Sequence, residues 1–356
     1  MRTPVVRVTV VVLALLSLLA APGPAPGQAK IRVGFCTKTL TSAVAPFAVA
    51  TQLGFYREEG LDVELVPVGG SSDCVRYVAT GEVPYALPSI EPLAIGRAQG
   101  IRARIFYTAY QGNPYGLAVP ADSPVQKIED LKGKTIGVTD MGSAGVVIAR
   151  SIAKAHGLDP DRDMTIVVAG SGAQTAAMVR NGQVQALSQF DTHYALVENA
   201  GVKLRRLENR DIERFPANGF ITLEKTLAEH RKEAVGLARG YAKGTVFTVN
   251  NPEAAVRITY AVYPQIKPTG KDEATAVRDE MRVISARAPN WGLEKAGVTR
   301  WGENSPQNYT AYLDFLFKVG VVKQKLDARD FITNDLIDEI NRFDAAKIAA
   351  QAKASK

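Results

Sequence analysis

An α/β fold in two similar halves, closed by a helical segment, is what the sequence predicts on three observations. Strand-like and helix-like stretches alternate from Ile31 to Tyr110, and a second alternating series runs from Lys134 to Leu207. From Asn218 onward the pattern is mainly helical.

In the first series, Ile31 to Phe35 reads as a strand and Val44 to Leu53 as a helix of small and apolar residues. Leu61 to Val66 alternates apolar and acidic residues, the period-two pattern of a half-buried strand. Ser71-Ser72-Asp73 offers an N-cap to a helix reaching Thr80. Val83 to Leu87, Glu91 to Gln99 and Ala103 to Tyr110 continue as strand, helix and strand. This order implies a mostly parallel sheet with right-handed crossovers, whose ligand edge is the C-terminal ends of its strands.

The second series repeats the architecture without a residue-level repeat. Strands are expected at Lys134 to Val138, Thr165 to Val168, Val184 to Ser188 and Lys203 to Leu207. Helices fit Gly145 to Ala155, Ala173 to Asn181 and Thr192 to Ala200. Beyond Ile221, helices fit Glu229 to Asn250, Asn251 to Tyr263, Lys271 to Arg287, Pro306 to Val319 and Asn334 to Phe343. The Ala/Lys-rich tail from Asp344 is expected to fray.

Between the strand at Lys134 and the following helix stands Met141-Gly142-Ser143-Ala144-Gly145. Glycine lets a backbone approach a ligand closely, and the first helical turn leaves amide groups without partners. Such amides suit a carboxylate, sulfonate or phosphate. The same residues also describe an ordinary strand-to-helix turn with Ser143 as N-cap.

The chain has 356 residues, 46% hydrophobic and 22% charged, with a formal net charge of +7. No run of Lys and Arg is dense or interleaved with aromatics as nucleic-acid binding requires. Residues 1–29 read as an export signal: Arg2 and Arg7, an apolar run from Val8 to Ala21, then Gly27-Gln28-Ala29. The mature protein is therefore expected outside the cytoplasm. Cys36 and Cys74 follow neighbouring strands, so a disulfide or two separate buried thiols both fit. His156, His193 and His230 share no metal-ligand spacing, so neither a metal nor a cofactor is expected. Nucleophile-elbow, zincin, Walker and dinucleotide motifs are absent, and no catalytic residue is expected.

Five stretches carry a resemblance in order and spacing. They are A-T-Q-L-G-F-Y-R-E-E-G-L-D-V-E-L (Ala50 to Leu65), G-G-S-S-D (Gly69 to Asp73), T-G-E-V-P-Y-A (Thr80 to Ala86), D-L-K-G-K-T-I-G-V (Asp130 to Val138) and A-A-M-V-R-N-G-Q-V-Q-A-L (Ala176 to Leu187). Together they resemble the periplasmic solute-binding proteins of ABC importers, in the nitrate/sulfonate/taurine-binding, NMT1/THI5-like group. The resemblance implies a two-lobed periplasmic binding protein fold of type II, each lobe a mostly parallel sheet flanked by helices, with a helical C-terminal region. Residues 30–113 would begin lobe 1, 114–214 form lobe 2, 215–343 return to lobe 1, and 344–356 form a flexible tail. The crossovers would fall near Gln111 to Gly116 and Arg214 to Asn218.

By the same resemblance, ligand contacts from the first lobe would be Thr37, Lys38, Thr39 and Leu40, then Gly70, Ser71, Ser72 and Asp73, then Ser89. The second lobe would add Gly142, Ser143, Ala144, Phe190 and Asp191. Tyr110, Tyr115 and Phe190 either stack on a flat ligand or fill the hinge core. Asp73 either meets a ligand amine or caps its helix, and Lys38 either meets an anion or is a solvated loop residue. The implied function is capture of a small organic anion or zwitterion (sulfonate, carboxylate or pyrimidine type) by a periplasmic monomer that delivers it to a membrane permease. An exported sensor, or an enzyme on the same fold, is the alternative.

Overall fold

The computed structural model describes residues 27–207, 210 and 212–355. Residues 1–26 of the expected export signal lie outside the described residues. Ala29, the last residue assigned to that signal, already pairs with Leu61 as the first residue of a strand.

The chain begins with β1 (Ala29–Phe35), α1 (Ala45–Gln52), α2 (Phe55–Glu58), β2 (Leu61–Pro67), α3 (Ser71–Thr80), β3 (Tyr85–Ala86), α4 (Ile90–Ala98) and β4 (Ala103–Thr108). Then come β5 (Tyr115–Pro120), β6 (Lys134–Val138), α5 (Ala144–Ala155), β7 (Met164–Val168), α6 (Ala173–Arg180), β8 (Ala186–Phe190), α7 (Asp191–Asn199) and β9 (Leu204–Arg206). The remainder is β10 (Gly219–Leu223), α8 (Glu224–Glu229), α9 (Arg231–Asn250), α10 (Pro252–Val262), α11 (Glu273–Trp291), α12 (Pro306–Lys318), α13 (Ile337–Ile340) and α14 (Ala345–Ala354).

Two five-stranded sheets result, ordered β2-β1-β3-β10-β4 and β7-β6-β8-β5-β9. Each is mostly parallel, as expected, with four strands in one direction and a single strand opposed to its neighbours. β1 runs parallel to β2 and β3, but β10 is antiparallel to β3 and β4. Likewise β6 runs parallel to β7 and β8, whereas β5 is antiparallel to β8 and β9. The antiparallel members are the strands that arrive directly from the other sheet. A chain entering from the gap must run opposite to strands whose C-terminal ends face that gap. Neither β5 nor β10 was among the expected strands. Both are short apolar runs, buried except at their last residue, so they lack the alternation that announces a strand.

The connections 109–114 and 207–218 bond to each other. Asn218 O accepts from Ala109 N at 2.9 Å and Tyr110 N at 3.0 Å, and Ala217 N donates to Tyr110 O at 3.0 Å. The C-terminal helices back the first sheet: Phe47 of α1 meets Tyr241 of α9 edge-on at 4.8 Å. Gly244 permits that approach, because a side chain there would overlap the Pro46 carbonyl. The expected frayed tail is instead α14, N-capped by Asp344, with Asn251 Nδ2 donating to Ala352 O and Ser355 O. Its apolar stripe, Ile348 and Ala352, is buried. Among the described residues no helix is long and apolar enough to cross a membrane.

Candidate functional site

The C-terminal ends of the parallel strands of both sheets face one another across two adjoining cavities. Cys36 and Thr37, immediately after β1, belong to the walls of both.

The inner cavity is the smaller of the two. The first sheet contributes Phe35, Leu87 and the turn residues Thr41 and Ala43, and the connections contribute Tyr110 and Asn218. Tyr115 and Phe190 come from the second sheet, and Arg287 reaches in from α11. Arg287 is 2% exposed and forks onto Asp191, with Nε at 2.8 Å and Nη2 at 2.6 Å from its carboxylate oxygens. Asn290 Nδ2 donates to the same carboxylate at 2.8 Å. The guanidinium lies 4.0 Å from the centre of the Tyr110 ring. Burial alone would favour a neutral Arg287, but the adjacent carboxylate wins and its pKa rises. Burial likewise raises the Tyr110 phenol, which stays protonated.

The outer cavity joins Lys38, Thr39 and Gly69 to Thr139, Asp140, Val168, Gly170, Ser171, Gln174 and His193. Lys38 Nζ meets Asp140 at 2.5 Å across the mouth, so one exposed ion pair links the two sides. This pair holds the Asp140 carboxyl below its ordinary range despite partial burial. His193 is fully buried, its ring 4.0 Å from that of Phe190, and neither ring nitrogen has a protein partner. Burial, then the Arg287 charge, pushes its pKa down to about 3, so the imidazole is neutral at ordinary pH.

The cavities bring together only some of the expected residues: Thr37, Lys38, Thr39, Tyr110 and Phe190 line one or both. The loop that suited either an anion cradle or an ordinary strand-to-helix turn has Ser143 at the N-cap position and its amides engaged. Gly142 N donates to Asp140 Oδ1 and Ser143 N to Asp140 O, both at 3.0 Å, so Asp140 supplies the acceptors locally. Gly142 O accepts from Ser72 N at 3.1 Å, and a side chain at Gly70 would overlap that carbonyl. Gly70, Ser72, Gly142 and Ser143 therefore form a direct contact between the halves, and Ala144 is buried behind it. Ser71 Oγ accepts from Ser89 N at 3.1 Å, which turns both residues toward each other. Asp73 pairs with Arg76 at 3.1 Å and is not the helix cap, since Gly70 takes that position. Leu40 packs half-buried against the core. Asp191, expected as a ligand contact from the second lobe, accepts from Arg287, Asn290 and the Thr192 amide.

Cys36 and Cys74 form a disulfide, Cα to Cα 5.8 Å, fixing the loop after β1 to the first turn of α3. Arg287, Asn218, His193 and Asn290 were not foreseen. Arg287 and Asp191 stand 96 positions apart, and no local pattern marks either as half of a pair.

Paired sheets enclosing a gap at their strand ends define a periplasmic binding protein fold. The alkanesulfonate-binding protein SsuA from Xanthomonas axonopodis, solved with MOPS bound, shares this fold at a TM-score of 0.64 and 16% identity, with 87% of this chain and 99% of that one covered. The NMT1/THI5-like family model matches residues 41–255, and the chain belongs to that family. It is 23% identical over 296 residues to the riboflavin-binding protein RibY of Chloroflexus aurantiacus, covering 82% of each. It is also 24% identical over 228 residues to a 4-amino-5-hydroxymethyl-2-methylpyrimidine phosphate synthase of Legionella pneumophila, covering 62% of this chain and 70% of that one.

Proposed function

We propose that the protein is an extracytoplasmic solute-binding component of an ABC importer, holding a small organic molecule of sulfonate, carboxylate or pyrimidine type between its halves for a membrane permease. The observation that carries this reading is the pair of adjoining cavities walled by strand ends of both sheets. A molecule seated there touches both halves at once, so its binding energy couples to their closure. The four aromatic rings of the inner cavity, Phe35, Tyr110, Tyr115 and Phe190, favour a flat ring as guest. An exported sensor would use the same site and differ only in its partner.

An enzyme is the second reading, favoured by the relatives named as synthases. Native mass spectrometry of the purified protein, followed by release and refolding, tests both. Recovery of an intact small molecule that rebinds stoichiometrically supports capture. Its conversion on incubation, or its absence together with no response to any solute in a thermal-shift screen, would overturn it.

A further inference from the structure

Two buried polar side chains in the cavity walls carry atoms without a partner among the described residues. Asn218 is 7% exposed, and its Nδ2 donates to Leu87 O at 2.8 Å. A carbonyl only accepts, so this bond sets the amide orientation and leaves Asn218 Oδ1 as the free atom, an acceptor without a donor. Asn218 lines the inner cavity. In the outer cavity His193 is fully buried with both nitrogens unpartnered. A neutral imidazole offers one donor and one acceptor, and leaving either unmet in the interior is unfavourable.

We propose that Asn218 and His193 are the ligand's hydrogen-bonding partners, and that they select an uncharged edge carrying N–H donors, such as an amide, sulfonamide or amino-heterocycle, over a carboxylate or sulfonate. This inference rests on the capture reading and names the chemistry of its site. A carboxylate or sulfonate brings acceptors only, so it can meet the N–H of His193 but leaves Asn218 Oδ1 and the acceptor nitrogen of His193 unanswered. Charge pulls weakly on such a ligand, because each nearby cation already has a carboxylate beside it. Arg287 is held by Asp191, Lys38 by Asp140, and the imidazole carries no positive charge at ordinary pH. A ligand spanning the adjoining cavities with an N–H donor for Asn218 Oδ1 and a donor and acceptor for His193 would answer both groups.

The test uses matched aromatic probes in titration calorimetry and thermal shift: benzamide against benzoate, nicotinamide against nicotinate, and benzenesulfonamide against benzenesulfonate. N,N-dimethylbenzamide serves as the probe stripped of donors. The expected result is that each N–H-bearing member binds at least about tenfold tighter than its anionic partner, and that dimethylation costs a similar factor. H193F keeps a flat ring against Phe190 and should lose about tenfold for benzamide, while H193Q, whose amide both donates and accepts, should retain part of it. Anionic members binding as well or better, no measurable binding by any probe, or H193F matching the wild type would overturn the inference. If the natural co-purifying molecule still binds in those cases, only this inference fails. If nothing co-purifies or binds at all, the capture reading fails with it.

Discussion

The two sheets follow one plan yet are finished differently. In each, three parallel strands are followed by the strand that has just crossed the gap and then by an edge strand. The main core runs through both, taking in Leu117, Val119, Ile136 and Ala186 of the second sheet, while α1 and α9 back the first. The second also has a satellite core of its own, seven buried residues among those described, and its edge strand β7 leaves Val168 45% exposed. The C-terminal helices make the difference. They are added on the side of the first sheet, and from there α11 extends to α7 on the second. Ser42 is hydrogen-bonded to Glu280 of the same helix, so α11 touches the first sheet's turn and the second sheet's helix at once. The asymmetric cover thus places Arg287 beside Asp191 and completes the cavity wall between the halves.

Severing that brace should produce the largest effect. R287A leaves the Asp191 carboxylate buried without its counter-charge, and a loss of about 3–5 kcal/mol in chemical denaturation is expected. If R287A unfolds like the wild type, the brace does not join the two halves energetically. Next comes the disulfide of the first half, which closes a loop over a sequence separation of 38. Replacing Cys36 and Cys74 by Ser should cost about 3–4 kcal/mol by loop entropy, read from the same denaturation. No loss on replacement would show that packing alone orders the loop after β1.

The halves should also answer pH in opposite senses. His193, beside the second sheet, has a folded pKa of about 3 against an ordinary 6.5, so the folded state binds fewer protons between those values. Its contribution is lost as pH falls below about 6.5, by at most about 1.4 kcal/mol per pH unit, and H193Q should flatten that slope. Glu91 and Glu280, on the side of the first sheet, have pKa values raised by burial above an ordinary 4.5. Here the folded state keeps the extra protons, so stability is lost as pH rises from about 4.5 toward the folded value, and E91Q or E280Q should remove part of that loss. Identical pH profiles for H193Q and E280Q would erase the distinction.

The smallest effect is expected where the halves meet in solvent. K38A removes the exposed pair with Asp140, and thermal unfolding should change little and lose its salt dependence there. By contrast, Gly70→Ala presses a methyl group into the Gly142 carbonyl, so the halves should stand further apart and small-angle scattering should show a larger radius of gyration. An unchanged scattering profile would mean that this contact does not limit their approach.

The amino-acid sequence by itself determined the two alternating series, the strand ends that face the gap, and two cysteines near enough to bond. Period-two and period-3.6 patterns depend on neighbours within a few residues, so they survive being read one stretch at a time. Tertiary structure alone decided that β5 and β10 enter as antiparallel strands, because their uniform burial carries no period. It also decided that α14 docks rather than frays, and that the loop at Gly142 spends its amides on Asp140 and its carbonyl on Ser72. Above all it decided the pairing of Arg287 with Asp191, since a charge's partner across 96 positions is set by how helices pack, not by the residues beside it.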